Sequence, residues 1–168
     1  MRNVTDRTSN PFGFDPPCEQ FVPGYGDANA DFHLIGDHPG VHGGADTGVP
    51  FTERSDSAAL QSVLQAAGLL ATTGDRPTVD ATYLSYLHLC VPPTDRKPTA
   101  DEYADMERFF DAELRAIAAH VLLPVGERAT RHVFETCTAR RWAPATEMAD
   151  LPATEIRGRG GPWIATAP

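Results

Sequence analysis

Short apolar segments alternate along this chain with segments of helical periodicity, and this alternation constrains the fold more than any other feature. The apolar stretches at 31–36, 82–90 and 120–126 are each ended by glycine or proline, as is typical of buried strands. The segments at 56–70 and 99–118 place apolar residues three and four positions apart, which predicts amphipathic helices. Strands that alternate with helices predict a three-layer α/β/α fold with a short, mostly parallel central sheet.

The remaining segments set the expected domain organisation. Residues 1–30 are rich in Pro, Gly, Asn and Asp and show no helical or strand periodicity. We expect them to form an irregular leader that packs on a single domain over 31–168, since the chain length suits one core. Thr99 and Glu102 have the spacing of a capping box, which predicts the start of the long helix, and residues 127–138 predict a short final helix.

The sequence predicts neither a membrane span nor a signal peptide. No apolar run approaches the ~18 residues that a transmembrane helix requires. The residues that follow Met1 are polar and lack the apolar core of a secretion signal. We therefore expect a cytoplasmic monomer that has no membrane partner.

The charge balance is strongly acidic. The chain has 23 acidic and 14 basic residues and a formal net charge of -9, and Lys97 is its only lysine. Such a composition keeps a protein soluble in a high-salt cytoplasm, so we expect a halophilic source, although a GC-rich genome also replaces Lys by Arg. The negative charge argues against conventional nucleic-acid binding.

The cysteines are few. Cys18, Cys90 and Cys137 are far apart in the sequence and odd in number. This pattern argues against a disulfide scaffold and predicts either reduced thiols or part of a metal site.

A glycine-dense loop over 37–52 follows the first predicted strand. Ligands of open α/β sheets bind beyond the carboxyl ends of the strands, so this loop is a candidate ligand site. It carries a carboxylate at Asp37 and imidazoles at His38 and His42, and Pro39 stiffens its first turn. The alternative interpretation is a flexible loop with a solvated aspartate.

Four segments of the chain, in the same order and spacing, resemble the uracil-DNA glycosylase superfamily, in particular its prokaryotic families 4 and 5. The segments are Gly36-Asp37-His38-Pro39-Gly40 with Thr47–Thr52, then Cys90–Thr99, Leu123–Ala129 and Arg157-Gly158. The resemblance covers residues 18–168. It implies a base-excision repair protein that flips a damaged base out of DNA and cleaves its N-glycosidic bond.

The resemblance also implies site residues. Phe51 would stack on the flipped base, and the backbone of Gly36, Pro39 and Gly40 would line the pocket. Asp37 stands in the position of the family 4 glutamate, a carboxylate that orients water. The alternatives are that Phe51 is a core anchor, that Asp37 is a solvated surface residue and that His42 is an ordinary loop residue.

Two further positions depart from the families. His38 replaces the usual alanine. Tyr86 replaces the asparagine that pairs with the edge of uracil, which puts uracil selectivity in question because a phenol offers one donor and one acceptor.

The iron–sulfur cluster of these families requires four cysteine thiolates. Cys90 and Cys18 match two of the ligands, but Met106 and Asp15 stand at the other two positions. We therefore expect no cluster, no other cofactor and no metal, since the histidines show no recognised zinc-ligand spacing with the cysteines.

The superfamily ends with a His-Pro-Ser type motif, whose histidine stabilises the departing base. The given sequence stops at Pro168, where this motif would begin, so either the natural chain lacks the motif or the motif lies beyond the given residues. We therefore expect weak or absent uracil release, with His38 and His42 as the groups that would substitute. DNA contacts would rest on shape, stacking and a few arginines such as Arg54, Arg96 and Arg128, because counterion release contributes little in high salt.

Two other functions are compatible with the sequence. One is a non-catalytic member of the same fold that binds a nucleobase or a partner protein. The other is a small-molecule hydrolase, which only the loop over 37–42 favours.

Overall fold

The computed structural model describes residues 9–93, 96–138, 142, 155–158 and 162–165. Within these residues six strands form one sheet, namely β1 (Tyr25–Gly26), β2 (Phe32–Gly36), β3 (Thr82–Tyr86), β4 (Val121–Pro124), β5 (Glu155–Arg157) and β6 (Trp163–Ala165). The helices of the same residues are α1 (Pro39–His42), α2 (Ser55–Ala66), α3 (Ala100–Ile117) and α4 (Glu127–Cys137). Across the sheet the strand order is β1-β3-β2-β4-β6-β5.

The centre of the sheet is parallel and its edges are antiparallel. β2 pairs in parallel with β3 on one side and with β4 on the other, and β4 pairs in parallel with β6. β1 and β5 pair antiparallel at the two edges. Leu34 of β2 stands opposite both Leu84 and Leu123, which confirms that the three predicted strands are adjacent and parallel.

Successive residues of β2 pack on opposite faces of the sheet, as they do in strands that are covered on both sides. Ile35 belongs to a cluster with Phe110 of α3 and Val133 of α4. Leu34 belongs to a second cluster with Leu64 of α2. One cluster lies between the sheet and α3 and α4, and the other lies between the opposite face of the sheet and α2. Helices therefore cover both faces of the sheet, which confirms the predicted three-layer α/β/α fold. No helix in the described part of the chain is both long and apolar enough to cross a membrane.

The helix boundaries follow local capping chemistry. The Thr99 amide donates to Glu102 Oε2 at 2.7 Å and the Glu102 amide donates to Thr99 Oγ1 at 3.3 Å, so the predicted capping box is confirmed at the start of α3. The second helix is shorter than predicted, since α2 ends at Ala66 rather than at Leu70. Gly68, with a φ of 79°, ends the helical turn in the left-handed region, which favours glycine.

The second predicted strand is also shorter than expected. The sequence predicts a strand over 82–90, whereas β3 ends at Tyr86. The next residues still follow β2, because the His88 amide donates to the Asp37 carbonyl at 3.0 Å. The end of β3 therefore brings His88 beside the start of the glycine-dense loop.

The segment predicted to be an irregular leader pairs with the sheet and with the loop after β3 through its backbone. β1 lies within it, Ser9 forms an isolated bridge with Tyr25, and Phe21 forms another with Cys90. Residues 1–8 lie outside the described residues.

The expectation of reduced thiols is wrong for two of the cysteines. Cys18 and Cys90 form a disulfide, whereas Cys137 is free. The two joined residues are 72 positions apart in sequence, yet their Cα atoms lie 6.1 Å apart because residues 20–22 run beside the loop that follows β3. Sequence spacing carries no information about such a long-range approach, which depends on the folded chain.

Candidate active site

A cavity of about 320 Å³ lies where the loops after β2 and β4 meet the first turn of α3. Its walls include Asp37, His42, Lys97, Tyr103, Arg128 and Arg131. The position beyond the carboxyl ends of parallel strands is where open α/β sheets bind their ligands. We refer to it as the Asp37 cavity.

Asp37 is held in place by a hydroxyl group and a guanidinium group. The Tyr103 hydroxyl donates to Asp37 Oδ1, and Arg128 Nε lies 3.7 Å from the same oxygen. The Arg128 guanidinium also lies 4.2 Å from the centre of the Tyr103 ring, a cation–π arrangement. The Asp37 side chain is only 18% exposed. The structure therefore places an ordered carboxylate, rather than a freely solvated one, at the cavity.

Tyr103 keeps its proton in this arrangement. Burial raises the pKa of Tyr103 well above its usual value, and the hydrogen bond to the Asp37 carboxylate raises it further. The phenol therefore acts as a fixed donor to Asp37 Oδ1. The contacts with Tyr103 and Arg128 both fall on this oxygen.

His42 lies between the Asp37 cavity and two buried aromatic rings. Its ring centre lies 5.2 Å from that of Phe51 and 5.9 Å from that of Tyr86. The Ser57 hydroxyl fixes the backbone by donating to the His42 carbonyl at 2.7 Å. Burial lowers the pKa of His42 to about 4, so the imidazole is neutral near pH 7.

One nitrogen of His42 has no partner. Its Nε2 atom is buried and makes no hydrogen bond within the described residues. A neutral imidazole offers one donor and one acceptor, and a buried polar atom that lacks a partner is unfavourable. A ligand in the Asp37 cavity that supplied the missing hydrogen bond would therefore be stabilised at this nitrogen.

Phe51 and Tyr86 lie behind His42 rather than on the cavity wall. Phe51 is 1% exposed, and its amide donates to the Tyr86 hydroxyl oxygen at 2.7 Å. The Tyr86 hydroxyl in turn donates to the Gly43 carbonyl at 3.0 Å. Both hydrogen-bonding functions of this buried phenol are therefore used within the protein. The role of Phe51 as the stacking aromatic stays a prediction.

Gly36 makes this packing possible. A Cβ atom at Gly36 would lie 2.7 Å from Phe51 Cζ and 2.9 Å from both His42 Cδ2 and Tyr86 Cδ1. Real Cβ atoms do not approach other atoms this closely, so any larger residue would displace one of the three rings. Packing at the end of β2 thus explains why the segment that resembles the first motif of the superfamily begins with glycine.

His38 faces a neighbouring cavity. Its Nδ1 atom accepts from the Gly40 amide at 3.1 Å and thereby caps α1. His38, Pro39 and Gly40 line a cavity of about 470 Å³, which shares Lys97 with the Asp37 cavity. Burial lowers the pKa of His38. The three predicted catalytic residues therefore divide between two adjoining cavities, with Asp37 and His42 in one and His38 in the other.

Of the three arginines predicted to contact DNA, only Arg128 lines the Asp37 cavity. Arg96 forms an ion pair with Glu102 at 2.6 Å beside the start of α3. Arg54 precedes α2 and lines a separate cavity.

Sequence reasoning missed Tyr103 and His88. His88 is 3% exposed, and its Nδ1 atom lies 3.0 Å from the Cys90 carbonyl oxygen. Its ring packs edge-on against Tyr103, with ring centres 5.4 Å apart. The usable signal for His88 was its position at the end of a parallel strand, and for Tyr103 its place one turn after the predicted Thr99 cap.

The sulfur residues do not fit the four-thiolate cluster of the resembling families. The sulfurs of Cys18 and Cys90 are bonded to each other, and the third position carries the Met106 thioether, with its Sδ 3.5 Å from Cys90 Sγ. Asp15, at the fourth position, is exposed. Within the described residues no group of three or more His, Cys, Asp or Glu side chains is arranged to hold a metal ion.

Comparison with known proteins identifies the family. A sequence model of the Uracil DNA glycosylase superfamily matches residues 23–165. The type-5 uracil-DNA glycosylase of Thermus thermophilus is 36% identical over 107 residues, which are 61% of this chain and 48% of that protein. The type-5 enzyme of Pyrobaculum aerophilum is 32% identical over 122 residues, 68% of this chain and 52% of that protein.

A more distant relative is the type-4 uracil-DNA glycosylase of Saccharolobus solfataricus. It is 24% identical over 114 residues, which are 68% of this chain and 49% of that protein. The chain thus spans about half the length of the curated relatives that it matches. The family match covers most of the chain and confirms the resemblance found in the sequence. The chain belongs to the uracil-DNA glycosylase superfamily.

Proposed function

We propose that this chain is a DNA base-excision protein that receives a flipped, damaged base in the Asp37 cavity and cleaves its N-glycosidic bond. The observation that carries the proposal is the pairing of an ordered carboxylate with an unpartnered, neutral imidazole in one cavity. Its volume of about 320 Å³ lies at the lower end of the roughly 300–1,000 Å³ typical of ligand pockets.

Glycosidic cleavage requires a water molecule near the sugar and stabilisation of the negative charge that develops on the base. Asp37 supplies the first function. Tyr103 and Arg128 both contact Oδ1, which leaves Oδ2 to orient the water. His42 and Arg128 supply the second, since the imidazole donates from a ring nitrogen and the guanidinium carries a positive charge. The buried His42 imidazole is already neutral near pH 7, so it can donate this hydrogen bond without a change in its charge.

The other predicted residues have supporting roles in this proposal. Gly36, Pro39 and Gly40 shape the loop around the base, and His38 holds the first turn of α1 by its contact with Gly40. Phe51 becomes a stacking surface only if the His42 ring, 5.2 Å away, rotates off it when the base enters. Tyr86 supports Phe51 from below.

One observation favours a base other than uracil, or binding without cleavage. Tyr86 stands at the position of the asparagine that pairs with uracil in these families, yet it is fully buried and both its hydrogen-bonding functions are taken by Phe51 and Gly43. It therefore has no free group with which to read the edge of a base. The second candidate function is a nucleobase-binding protein of the same fold that performs no chemistry.

The wider setting is part of the same proposal. The chain would act as a monomer in the cytoplasm of a halophile, where a net charge of -9 favours solubility. Residues 1–30 would form a leader packed on a glycosylase-like domain over 31–168.

The test is base release from single-stranded oligonucleotides that contain uracil, hypoxanthine or xanthine, measured at high salt together with binding by fluorescence anisotropy. We expect Asp37→Asn to abolish release while the oligonucleotide still binds. Asp105→Asn makes the same chemical change at an exposed position of α3 and should leave release unaltered. Release by Asp37→Asn at the wild-type rate would refute the role of Asp37. Binding without release by the wild type would select the second function, and no binding at any salt concentration would refute both.

A further inference from the structure

A small sulfur-containing cluster lies apart from the two main core clusters. Leu89, Cys90 and Met106 are buried in it, and Cys18, Phe21 and Phe109 pack against them. Three of the four positions that match iron–sulfur ligands in families 4 and 5, namely Cys18, Cys90 and Met106, meet in this group of packed side chains. The chain fills it with a disulfide and a thioether instead.

The disulfide fastens the leader to the loop after β3. The two segments also share backbone hydrogen bonds, since the Val22 amide donates to the Leu89 carbonyl at 2.8 Å and the Val91 amide donates to the Gln20 carbonyl at 2.9 Å. The paired segments also pack on the second core cluster, to which Val22 belongs and against which Val91 lies. The covalent bond adds to these contacts the one constraint on the Cys90 backbone that a reductant can remove.

The Cys90 backbone in turn holds one side of the candidate active site. Its carbonyl oxygen lies 3.0 Å from His88 Nδ1, and the His88 amide donates to the Asp37 carbonyl at 3.0 Å. The His88 ring packs on Tyr103, whose hydroxyl donates to the Asp37 carboxylate. The disulfide thus reaches Asp37 through two intermediate side chains.

We propose that the Cys18–Cys90 disulfide is a redox-sensitive clasp that keeps His88, a positioning residue, against Tyr103 at the Asp37 cavity. The disulfide joins two positions that match iron–sulfur ligands in families 4 and 5. Its effect on ligand binding rests on the proposed function, whereas its effect on the two rings does not.

The chemistry of opening requires a dithiol reductant. Cys18 is partly exposed and its neighbours Pro17 and Glu19 are exposed, so a thiolate of the reductant can attack Cys18 Sγ. The S–S bond breaks, a mixed disulfide forms at Cys18, and Cys90 leaves as a thiolate that takes up a proton. The second thiol of the reductant then displaces Cys18, which also ends as a thiol, and the reductant becomes a disulfide.

The reduced form is accommodated by Met106. A disulfide sulfur carries no hydrogen, so the distance of 3.5 Å between Cys90 Sγ and Met106 Sδ is a van der Waals contact in the oxidised protein. After reduction the buried Cys90 thiol would gain a weak acceptor in the thioether. Opening therefore leaves no buried donor without a partner, which favours a reversible switch.

The test follows the aromatic carbon signals of His88 and Tyr103 by NMR in the full chain, before and after treatment with dithiothreitol, with the redox state confirmed by thiol alkylation and mass. We expect both rings to shift on reduction and to return on reoxidation. The double variant Cys18→Ser/Cys90→Ser should give the spectrum of the reduced protein, and dithiothreitol should not change that spectrum. Cys137→Ser removes the free thiol and should respond as the wild type does. Complete reduction with unmoved rings would overturn the proposal, and so would three free thiols, rather than the one of Cys137, in protein kept under air.

Two variants of His88 separate positioning from general stability. His88→Asn keeps a nitrogen at the place of Nδ1 beside the Cys90 carbonyl but removes the ring that packs on Tyr103, and His88→Ala removes both. Neither variant should show the redox response of the Tyr103 ring, although the disulfide still forms in both. A wild-type redox response of the Tyr103 ring in either variant would exclude His88 as the link.

A binding measurement tests the functional consequence. Reduction should weaken the binding of a hypoxanthine-containing oligonucleotide at least about fivefold, the lower end of typical coupling between sites. Unchanged affinity would overturn the control of the site while leaving the proposed function intact. If no oligonucleotide binds in either redox state, the proposed function fails, and the ring shifts still decide whether the clasp exists.

Discussion

Glu113 gives the sharpest prediction about stability, because it is a carboxyl group buried on α3. It is 1% exposed, its Oε1 accepts from the Tyr83 hydroxyl at 2.8 Å, and its Oε2 has no partner within the described residues. Burial raises the pKa of Glu113 to about 7, and the hydrogen bonds from Tyr83, Ser85 and the Gly24 backbone only partly oppose this effect. Glu113 is therefore largely protonated in the folded protein below pH 7.

The sign of the pH dependence follows from linkage. The folded pKa of about 7 lies above the ordinary glutamate value of 4.5, so the unfolded chain loses the proton first as the pH rises. Stability is fully present below pH 4.5 and is lost as the pH rises through 7, which is opposite to the behaviour of a paired carboxylate. At about 1.4 kcal/mol per unit of pKa difference, the full loss is about 3 kcal/mol.

The variant Glu113→Gln removes the titration and keeps the shape of the side chain. We expect wild type and variant to diverge as the pH rises from 5 to 8, with the variant gaining about 2 to 3 kcal/mol relative to the wild type. For a domain of this size the corresponding difference in Tm is roughly 5 to 10 °C. Taking the difference cancels the contributions of other groups, such as His33, whose pKa burial lowers to about 3.

The assay is urea unfolding followed by circular dichroism at each pH. The control is Glu107→Gln, an exposed glutamate on the same helix, which should run parallel to the wild type. Parallel curves for Glu113→Gln and the wild type between pH 5 and 8 would show that Glu113 has no raised pKa, and would refute the reasoning.

Three further predictions concern the disulfide and DNA contacts. Reduction of the Cys18–Cys90 disulfide, which closes a 72-residue separation, should lower the free energy of unfolding by about 4 kcal/mol in urea titrations; a loss below about 1 kcal/mol would contradict it. Arg128→Gln should reduce the salt slope of single-strand binding by about 0.7, whereas the exposed control Arg115→Gln should not; equal slopes would exclude a phosphate contact. Phe51→Leu should weaken binding of a damaged-base oligonucleotide roughly tenfold, and unchanged affinity in a folded variant would remove Phe51 from the site.

Local patterns predicted the framework of the fold well. The short apolar strands around Leu34, Leu84 and Leu123 alternate with amphipathic helices, and this alternation predicted the parallel centre of the sheet. The capping box at Thr99 is a contact between residues three positions apart and was equally accessible. These features depend on neighbours in sequence, and that is why sequence reasoning found them.

The features that sequence reasoning missed depend on distant contacts. The disulfide requires the leader to lie beside the loop after β3, and no spacing rule encodes that approach. For Phe51 the sequence left a stacking surface and a core anchor both open, because its burial behind His42 depends on how α1 folds over the end of β2. Tyr103 reaches Asp37 across 66 positions of sequence, so its contact with the site emerged only from the packing of α3.

The central claim is that a damaged base enters the Asp37 cavity beside His42. The most direct measurement is the ¹⁵N chemical shift of His42 Nε2 during titration with a hypoxanthine-containing oligonucleotide, compared with the same strand carrying an abasic site. Because this nitrogen has no hydrogen-bond partner among the residues that the structure describes, we expect a large shift with the base and little or none with the abasic strand. Identical shifts for the two strands, or no shift with either while both bind, would contradict the account.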